Sequence, residues 1–451
     1  MKFTRKGYGE LRRGNDLISR HTVPEEAYER ASAEGEGTYS YRPPSIEIVV
    51  PKAAVPAPAP NPAPAPAPSP SPSPAPVPSP APAARLLRAS DLRYLGRFAA
   101  PLPIGDDGDG RTLNYGGTAL GVGRNGDTLF VTGHDHKQLS CEITIPEPTL
   151  APNDAPRAQY VQSFADAFAG RIEQINPGDP NAKKIGGHLV WGDKLLVSAY
   201  AYYDGAGTQS KSHIIRPLDL SDVGHVVGPI GMAGASPRRV AGSMCAVPDA
   251  WRDRLGPALS GIGGLAIITA SSAGPCAATF DPDDMSAGAQ LLVGYPVDRS
   301  LARAYGAHES QGQNDYWNLT SSSVGIAFPH SHDSVLFIGR HGMGAYCYGG
   351  GGADGPCIDP IDSSKGGHAY PYRFQVWAYD ANDLVRVRRG EVQPWEIKPY
   401  DIWTLDLPFG RADGAACGGA TYDPASNRII IAQRYGQGAM PLFHVFEIAA
   451  A

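Results

Sequence analysis

From residue 86 onward the chain alternates short apolar runs with turns rich in Gly, Asp, Asn and Pro, and one order of runs returns five times. A Gly-containing run leads through a turn to a strongly apolar run, then to a third run ending near an acidic residue or a proline. The five openings read YGGTALGVGRNGDTLFVTG, IGGHLVWGDKLLVSAY, VAGSMCAV, SVGIAFPHSHDSVLFIG and CGGATYDPASNRIIIAQ. Runs of this length bounded by turn residues predict strands. A single unit cannot bury its apolar face alone, so five copies predict an all-β stack closed radially.

Four strands per unit are predicted. They fall at 116–122, 127–133, 139–146 and 158–166, then at 185–191, 193–200, 212–218 and 224–230. The third and fourth units give 241–247, 263–270, 275–281 and 289–296, then 321–328, 333–339, 373–380 and 400–408. The fifth offers only 416–422, 427–433 and 441–448. Its missing strand is LRYLGRFAAP at 92–101, which is similar to the fourth-strand segment IWTLDLPF. A strand from the N-terminal side would complete the last unit and remove open sheet edges. The expectation is a five-bladed β-propeller over 86–451, with a six- or seven-bladed ring or another β architecture left open. The first-strand glycines suit a crowded axis. No helix follows them, which argues against a phosphate loop.

Two further segments precede this domain. Residues 1–50 predict a small ββαβ module, with a hairpin around Gly14-Asn15, a capping box at Thr22 to Glu25 and a returning strand over 38–50. Residues 51–85 carry proline at nearly every second position from Pro56 to Pro82. Proline lacks the N–H that a sheet or helix needs, so the segment predicts a polyproline linker of roughly 100 Å at full extension.

The run DLISRH-TVPEEAYERA-GEGTYSYRPP-SIEIVV resembles a small module of bacteriophage structural proteins and related bacterial surface proteins, where it precedes a Pro-rich linker and a variable distal domain. The C-terminal run from HAYPYRFQVWAYD to FHVF resembles uncharacterised bacterial propeller-like proteins through its aromatics and its Tyr-Asp-Pro turn.

The net charge of −6 and the absence of a basic stripe argue against nucleic acid as a partner. No apolar stretch of membrane-spanning length occurs, and the charged N-terminus lacks the apolar region of a secretory signal. Cys347 and Cys357 bracket a Gly-rich loop and predict a disulfide; Cys245 and Cys276 form a second candidate pair. With no CxxC spacing, structural zinc is not expected. His134 with His136, and His330 with His332, have one-face spacing but lie at strand-turn junctions, so they read as turn polarity before metal ligands. Asp106, Asp107 and Asp109 resemble a calcium loop in composition without its terminal Glu, so no cofactor is expected.

The candidate binding surface is the insertion 341–372 with the loop before it. Trp317, His341, Tyr346, Tyr348, His368, Tyr370 and Tyr372 would stack on sugar rings or make protein contacts. A five-bladed glycosidase would instead need carboxylates at its first strands. Those positions are Asn114-Tyr115, Lys184-Ile185, Arg239-Val240, Thr320-Ser321 and Ala415-Ala416, and none is acidic. Asp179, Glu309, Asp315 and Asp413 lie in loops that could reach the axis, but they show no regular placement.

Together these features predict a virion-surface fibre or decoration protein, extracellular after lysis. Residues 1–50 would dock to a virion protein and the propeller would bind a host surface glycan or protein. A glycan depolymerase on the same scaffold and a bacterial surface propeller are the alternatives.

Overall fold

The computed structural model describes five strands within residues 2–49, by backbone alone, and residues 85–266, 271–310, 313–409 and 417–449. The chain divides into Met1–Pro80 and Ala81–Ala451. In the first unit, β1 (Lys2–Lys6) pairs antiparallel with β5 (Ser45–Val49). β2 (Gly9–Arg13) pairs with both β3 (Asp16–His21) and β4 (Tyr39–Arg42). The strand Lys2–Lys6 is additional to the sequence reading. The expected helix and the proline linker lie outside the described residues.

The second unit is an all-β, propeller-like assembly. β6 is Leu92–Ala99. A first sheet contains β7 (Leu120–Val122), β8 (Thr128–Thr132), β9 (Ser140–Thr144) and β10 (Tyr160–Ala165). A second contains β11 (Lys183–Trp191), β12 (Lys194–Ala201), β13 (His213–Pro217) and β14 (Val227–Ile230). A third contains β15 (Ser243–Ala246), β16 (Ala258–Gly261), β17 (Ala277–Phe280) and β18 (Ala289–Val293).

The remaining large sheet has eight strands. One antiparallel half contains β19 (Ser322–Ala327), β20 (Ser334–Gly342), β23 (Tyr372–Asp380) and β24 (Asp401–Leu405). Between β20 and β23 the chain makes a separate ribbon of β21 (Cys347–Gly350) and β22 (Lys365–His368). The other half contains β25 (Cys417–Asp423), β26 (Arg428–Gln437), β27 (Met440–Ile448) and β6. The halves meet through one parallel bridge, Gly325 to Ala420. β6 pairs with β27 from Leu92 opposite Ile448 to Ala99 opposite Leu442, so the two ends of the domain share one sheet.

First strands neighbour one another in cyclic order, and glycine is what lets them approach. A Cβ on Gly121 of β7 would lie 2.6 Å from the His188 carbonyl oxygen of β11. One on Gly187 of β11 would collide with the Gly242 carbonyl before β15. Gly264, just past β16, faces the Ser321 carbonyl before β19, Gly325 of β19 faces Ala420, and a Cβ on Gly419 of β25 would come 2.9 Å from Ala119 Cα beside β7. The apolar residues form five layers, each between consecutive four-stranded groups. Leu336, Ile338 and Val376 meet Ile429, Ile431 and Phe446, for example, while Phe98 and Phe443 meet Leu129 and Val131. Each layer closes a sheet face that would otherwise be wet.

One expected strand is displaced. The second strand of the third group is Ala258–Gly261, and not 263–270. An unforeseen helix, Asp249–Leu255, buries Trp251 and ends at Gly256, whose φ of +88° few other residues adopt. The chain therefore enters its second strand early. Gly263 then bridges to Ser323 of the next group. Residues 267–270 lie outside the described residues.

Because only backbone atoms crowd the Gly187 position, Gly187→Ala should destabilise the domain by about 1–3 kcal/mol. Gly366→Ala, with nothing within 4 Å, should stay within about 0.5 kcal/mol of the parent. Paired thermal melts check both.

Candidate functional site

The sequence-expected surface is mostly interior. Trp317 and His341 are fully buried, and His368 and Tyr372 nearly so, which corrects their assignment as ligand-facing groups. Trp317 packs against Trp377 with ring centroids 5.1 Å apart. His341 is held between the Ser321 hydroxyl at 2.8 Å and the Asn314 carbonyl at 2.7 Å, and burial lowers its pKa to about 4. Tyr372 donates to Asp359 at 2.7 Å, and the Arg340 guanidinium lies over its ring. Tyr346 and Tyr370 are half-buried, and only Tyr348, at 67% exposure, presents a free face. Trp317 belongs to the apolar layer between two sheets, while His368 and Tyr372 order the inserted segment through Asp359.

A disulfide joins Cys347 and Cys357, with Cα atoms 5.6 Å apart. Cys245 and Cys276 are free buried thiols with pKa pushed up to about 12 by burial, which corrects their candidacy as a pair. Beside the disulfide, His368 Nδ1 lies 2.8 Å from Asp359 Oδ2 and its Nε2 lies 3.0 Å from the Ser364 carbonyl. Both ring nitrogens thus face acceptors, which only the doubly protonated ring satisfies. Burial alone would lower this pKa, but the hydrogen bonds to Asp359 and Ser364 outweigh it and raise it above 6.5.

The acidic candidates are dispersed. Asp106 and Asp109 accept backbone N–H groups of their own turn, Asp109 also binds Arg111, and Asp107 binds Asn114. These oxygens cap the turn and do not converge on a cation. Among the described residues no group of three or more His, Cys, Asp or Glu side chains is placed to hold a metal ion. Asp179 pairs with Lys183 at 3.2 Å, Glu309 with Arg303 at 3.3 Å and Asp315 with Arg373 at 3.6 Å. Asp413 lies outside the described residues.

A different constellation stands where the first strands begin. Asp135 follows β8, and its carboxylate lies 3.0 Å from Lys184 of β11 and 3.6 Å from Arg434 of β26. Three sheets therefore meet in one charge cluster. Burial would raise the Asp135 pKa, but Arg434 and Lys184 override it and hold the group ionised. Arg434 also donates to the Tyr115 carbonyl at 3.0 Å and lies over the Tyr435 ring. Tyr115 meets His134 and Tyr435 edge-on, at 5.3 and 5.8 Å. Tyr202 and Tyr203 stand half-exposed just past β12.

Backbone strain converges on the same place. Six non-glycine residues among those described have positive φ, and three of them, Tyr115 at 57°, Gln138 at 55° and Tyr435 at 60°, belong to this cluster. Each such residue costs about 1–3 kcal/mol and persists only where surrounding structure enforces it. Gln138 shows the enforcement: its amide binds the Asp135 carbonyl and accepts from the Ile185 N–H at 2.6 Å.

The sequence reading missed this site, although the signal was present. Aligning second-strand ends, VTGHDH, VSAYAY, FIGRHG and IAQRYG, brings His134, Tyr200, Arg340 and Arg434 into one column. Strand register agrees, since Tyr200 and Arg340 stand opposite Lys184 and Ser322, each at or next to the start of its first strand.

At the other ends of the first strands lies a cavity of about 600 Å³, lined by Val122, Arg124, His188, Met244, Tyr422 and Asp423 among others. His188 is buried and neutral, with its pKa lowered to about 3 by burial, and its Nδ1 has no hydrogen-bond partner.

No family model and no curated protein matches this chain. Among solved structures, a Parabacteroides distasonis protein described as a proposed glycoside hydrolase is 12% identical, with 82% of this chain and 95% of that one covered and a TM-score of 0.37. A protein described with the GH130 mannoside phosphorylases, a family said to contain glycoside hydrolases that target β-1,2-mannosidic linkages in Candida mannan, is 11% identical over 82% and 99%, at TM-score 0.37. A DUF4221 member from Bacteroides vulgatus is 10% identical over 80% and 99%, at TM-score 0.33. No activity is carried over from likeness of this degree.

The His368–Asp359 pair contributes stability that is complete below pH 6.5 and lost as pH rises through the elevated pKa of the folded state. Nitrogen-15 NMR should therefore find the His368 ring more than half protonated at pH 6.5, where a free imidazole is half-titrated. Asp359→Asn should bring its titration back toward or below that value.

Proposed function

We propose that residues 86–451 form a five-bladed β-propeller that binds a saccharide at the axial mouth built by Tyr115, Asp135, Lys184, Arg434 and Tyr435. The observation that carries this reading is the convergence of strained tyrosines and a clamped, ionised carboxylate at one point on the ring. Tyrosine rings offer flat apolar faces to the C–H side of a sugar. Asp135 accepts hydroxyl protons, and the two cations donate to ring or hydroxyl oxygens. In the same reading residues 1–50 anchor the propeller to a larger particle through the linker, and repeated copies supply avidity. Placement on a virion rests on the sequence pattern of residues 1–50 alone.

Glycoside hydrolysis is the second reading, and Asp135 is what favours it. A carboxylate kept ionised at the axis suits a base or nucleophile, and it would need an acid partner about 5–10 Å away. Release of reducing ends from bacterial surface polysaccharides, lost in Asp135→Asn, separates hydrolysis from simple binding.

Strain kept for binding gives a paired expectation. Tyr435→Gly should stabilise the fold by about 1 kcal/mol, because glycine accepts a φ of 60° at no cost, while weakening saccharide binding at least about tenfold. A melt and a glycan-array titration of the same variant read the two effects. Stabilisation with unchanged binding would remove the strained tyrosine from the site.

A further inference from the structure

The mouth holds more positive charge than its own carboxylate balances. Among the described residues Lys184 and Arg434 share one carboxylate partner, Asp135, leaving the triad with a surplus of one cation. Arg340 stands at the Arg434-equivalent position of the neighbouring four-stranded group. All this occurs in a chain whose net charge is −6, so the concentration of cations runs against the average of the protein.

The arginine fork is incompletely used. Arg434 Nη2 stands 3.6 Å from Asp135 Oδ2, beyond hydrogen-bond distance, while its Nε is buried without a hydrogen-bond partner. An arginine set out to hold only Asp135 would close a bidentate pair. The Asp135 carboxylate also demonstrates which group fits between the two cations. It lies between Lys184 and Arg434, and both side chains remain partly open to solvent, at 12% and 21% exposure.

We infer that the saccharide taken at this mouth is anionic and carries a carboxylate, as a uronic-acid-bearing glycan does, with Lys184 and Arg434 as its specificity-determining residues. This rests on the saccharide reading above. The sugar carboxylate would complete the Arg434 fork and share Lys184 with Asp135, while the tyrosines cover the ring face. A neutral sugar would leave the surplus cation without a counter-charge, which is the basis of discrimination.

Calorimetric titration of the full chain with oligogalacturonate, and with a neutral cello-oligosaccharide of equal length, tests this. The expected result is preference for the uronate by at least about tenfold, falling as salt rises. Arg434→Gln and Lys184→Gln should each weaken uronate binding at least about tenfold more than they weaken neutral-sugar binding. Arg434→Lys should restore part of it, and unchanged near-ultraviolet circular dichroism would certify the fold of each variant. Equal affinity for both sugars, or a preference indifferent to Arg434→Gln, would overturn the anionic assignment and leave the saccharide reading standing. A glycan array on which no saccharide binds would overturn the saccharide reading itself.

Discussion

The close approach of first strands around one axis is the constraint on which the rest of this domain depends. Gly121, Gly187, Gly325 and Gly419 each press against the neighbouring group, and a methyl group at any of them would meet backbone or a neighbouring Cα or Cβ within van der Waals distance. Two consequences follow. The apolar core is divided into five inter-sheet layers, because there is no room for a central one. Chemistry is excluded from the middle of the axis and gathers at its two ends, the charged mouth at the strand starts and the cavity at the strand ends.

The repeat made most of the strand order legible. The apolar runs IIIAQ, LLVSA and VLFIG mark second strands that lie where expected, and the echo of IWTLDLPF in LRYLGRFAAP anticipates the pairing of β6 with β27. The third group failed because helix Asp249–Leu255 shifts the entry of its second strand, while the more apolar GGLAIITA attracts a strand assignment by propensity alone. Propensity has no knowledge of where a preceding turn releases the chain.

The site was less legible for a different reason. Aromatic residues among glycines read as exposed recognition groups, yet Trp317 is needed in the layer between two sheets, His341 is held in β20 by Ser321 and Asn314, and His368 and Tyr372 order the insertion. The disulfide and the His368–Asp359–Tyr372 network supply the remaining order there. The mouth, by contrast, is assembled from single residues of three sheets, with Asp135, Lys184 and Arg434 separated by 49 and 250 positions. Strain at Tyr115 and Tyr435 leaves no mark in composition, because nothing in a tyrosine's identity announces a positive φ. Only the column of second-strand ends carries a trace of it.

A crystal structure of the full chain saturated with a uronic-acid oligosaccharide tests the central claim most directly. The account predicts sugar density at the mouth, with a carboxylate against Arg434 and Lys184 and a ring face against Tyr115 or Tyr435. Density seated instead on Tyr348 of the insertion, or in the cavity beside His188, would contradict it.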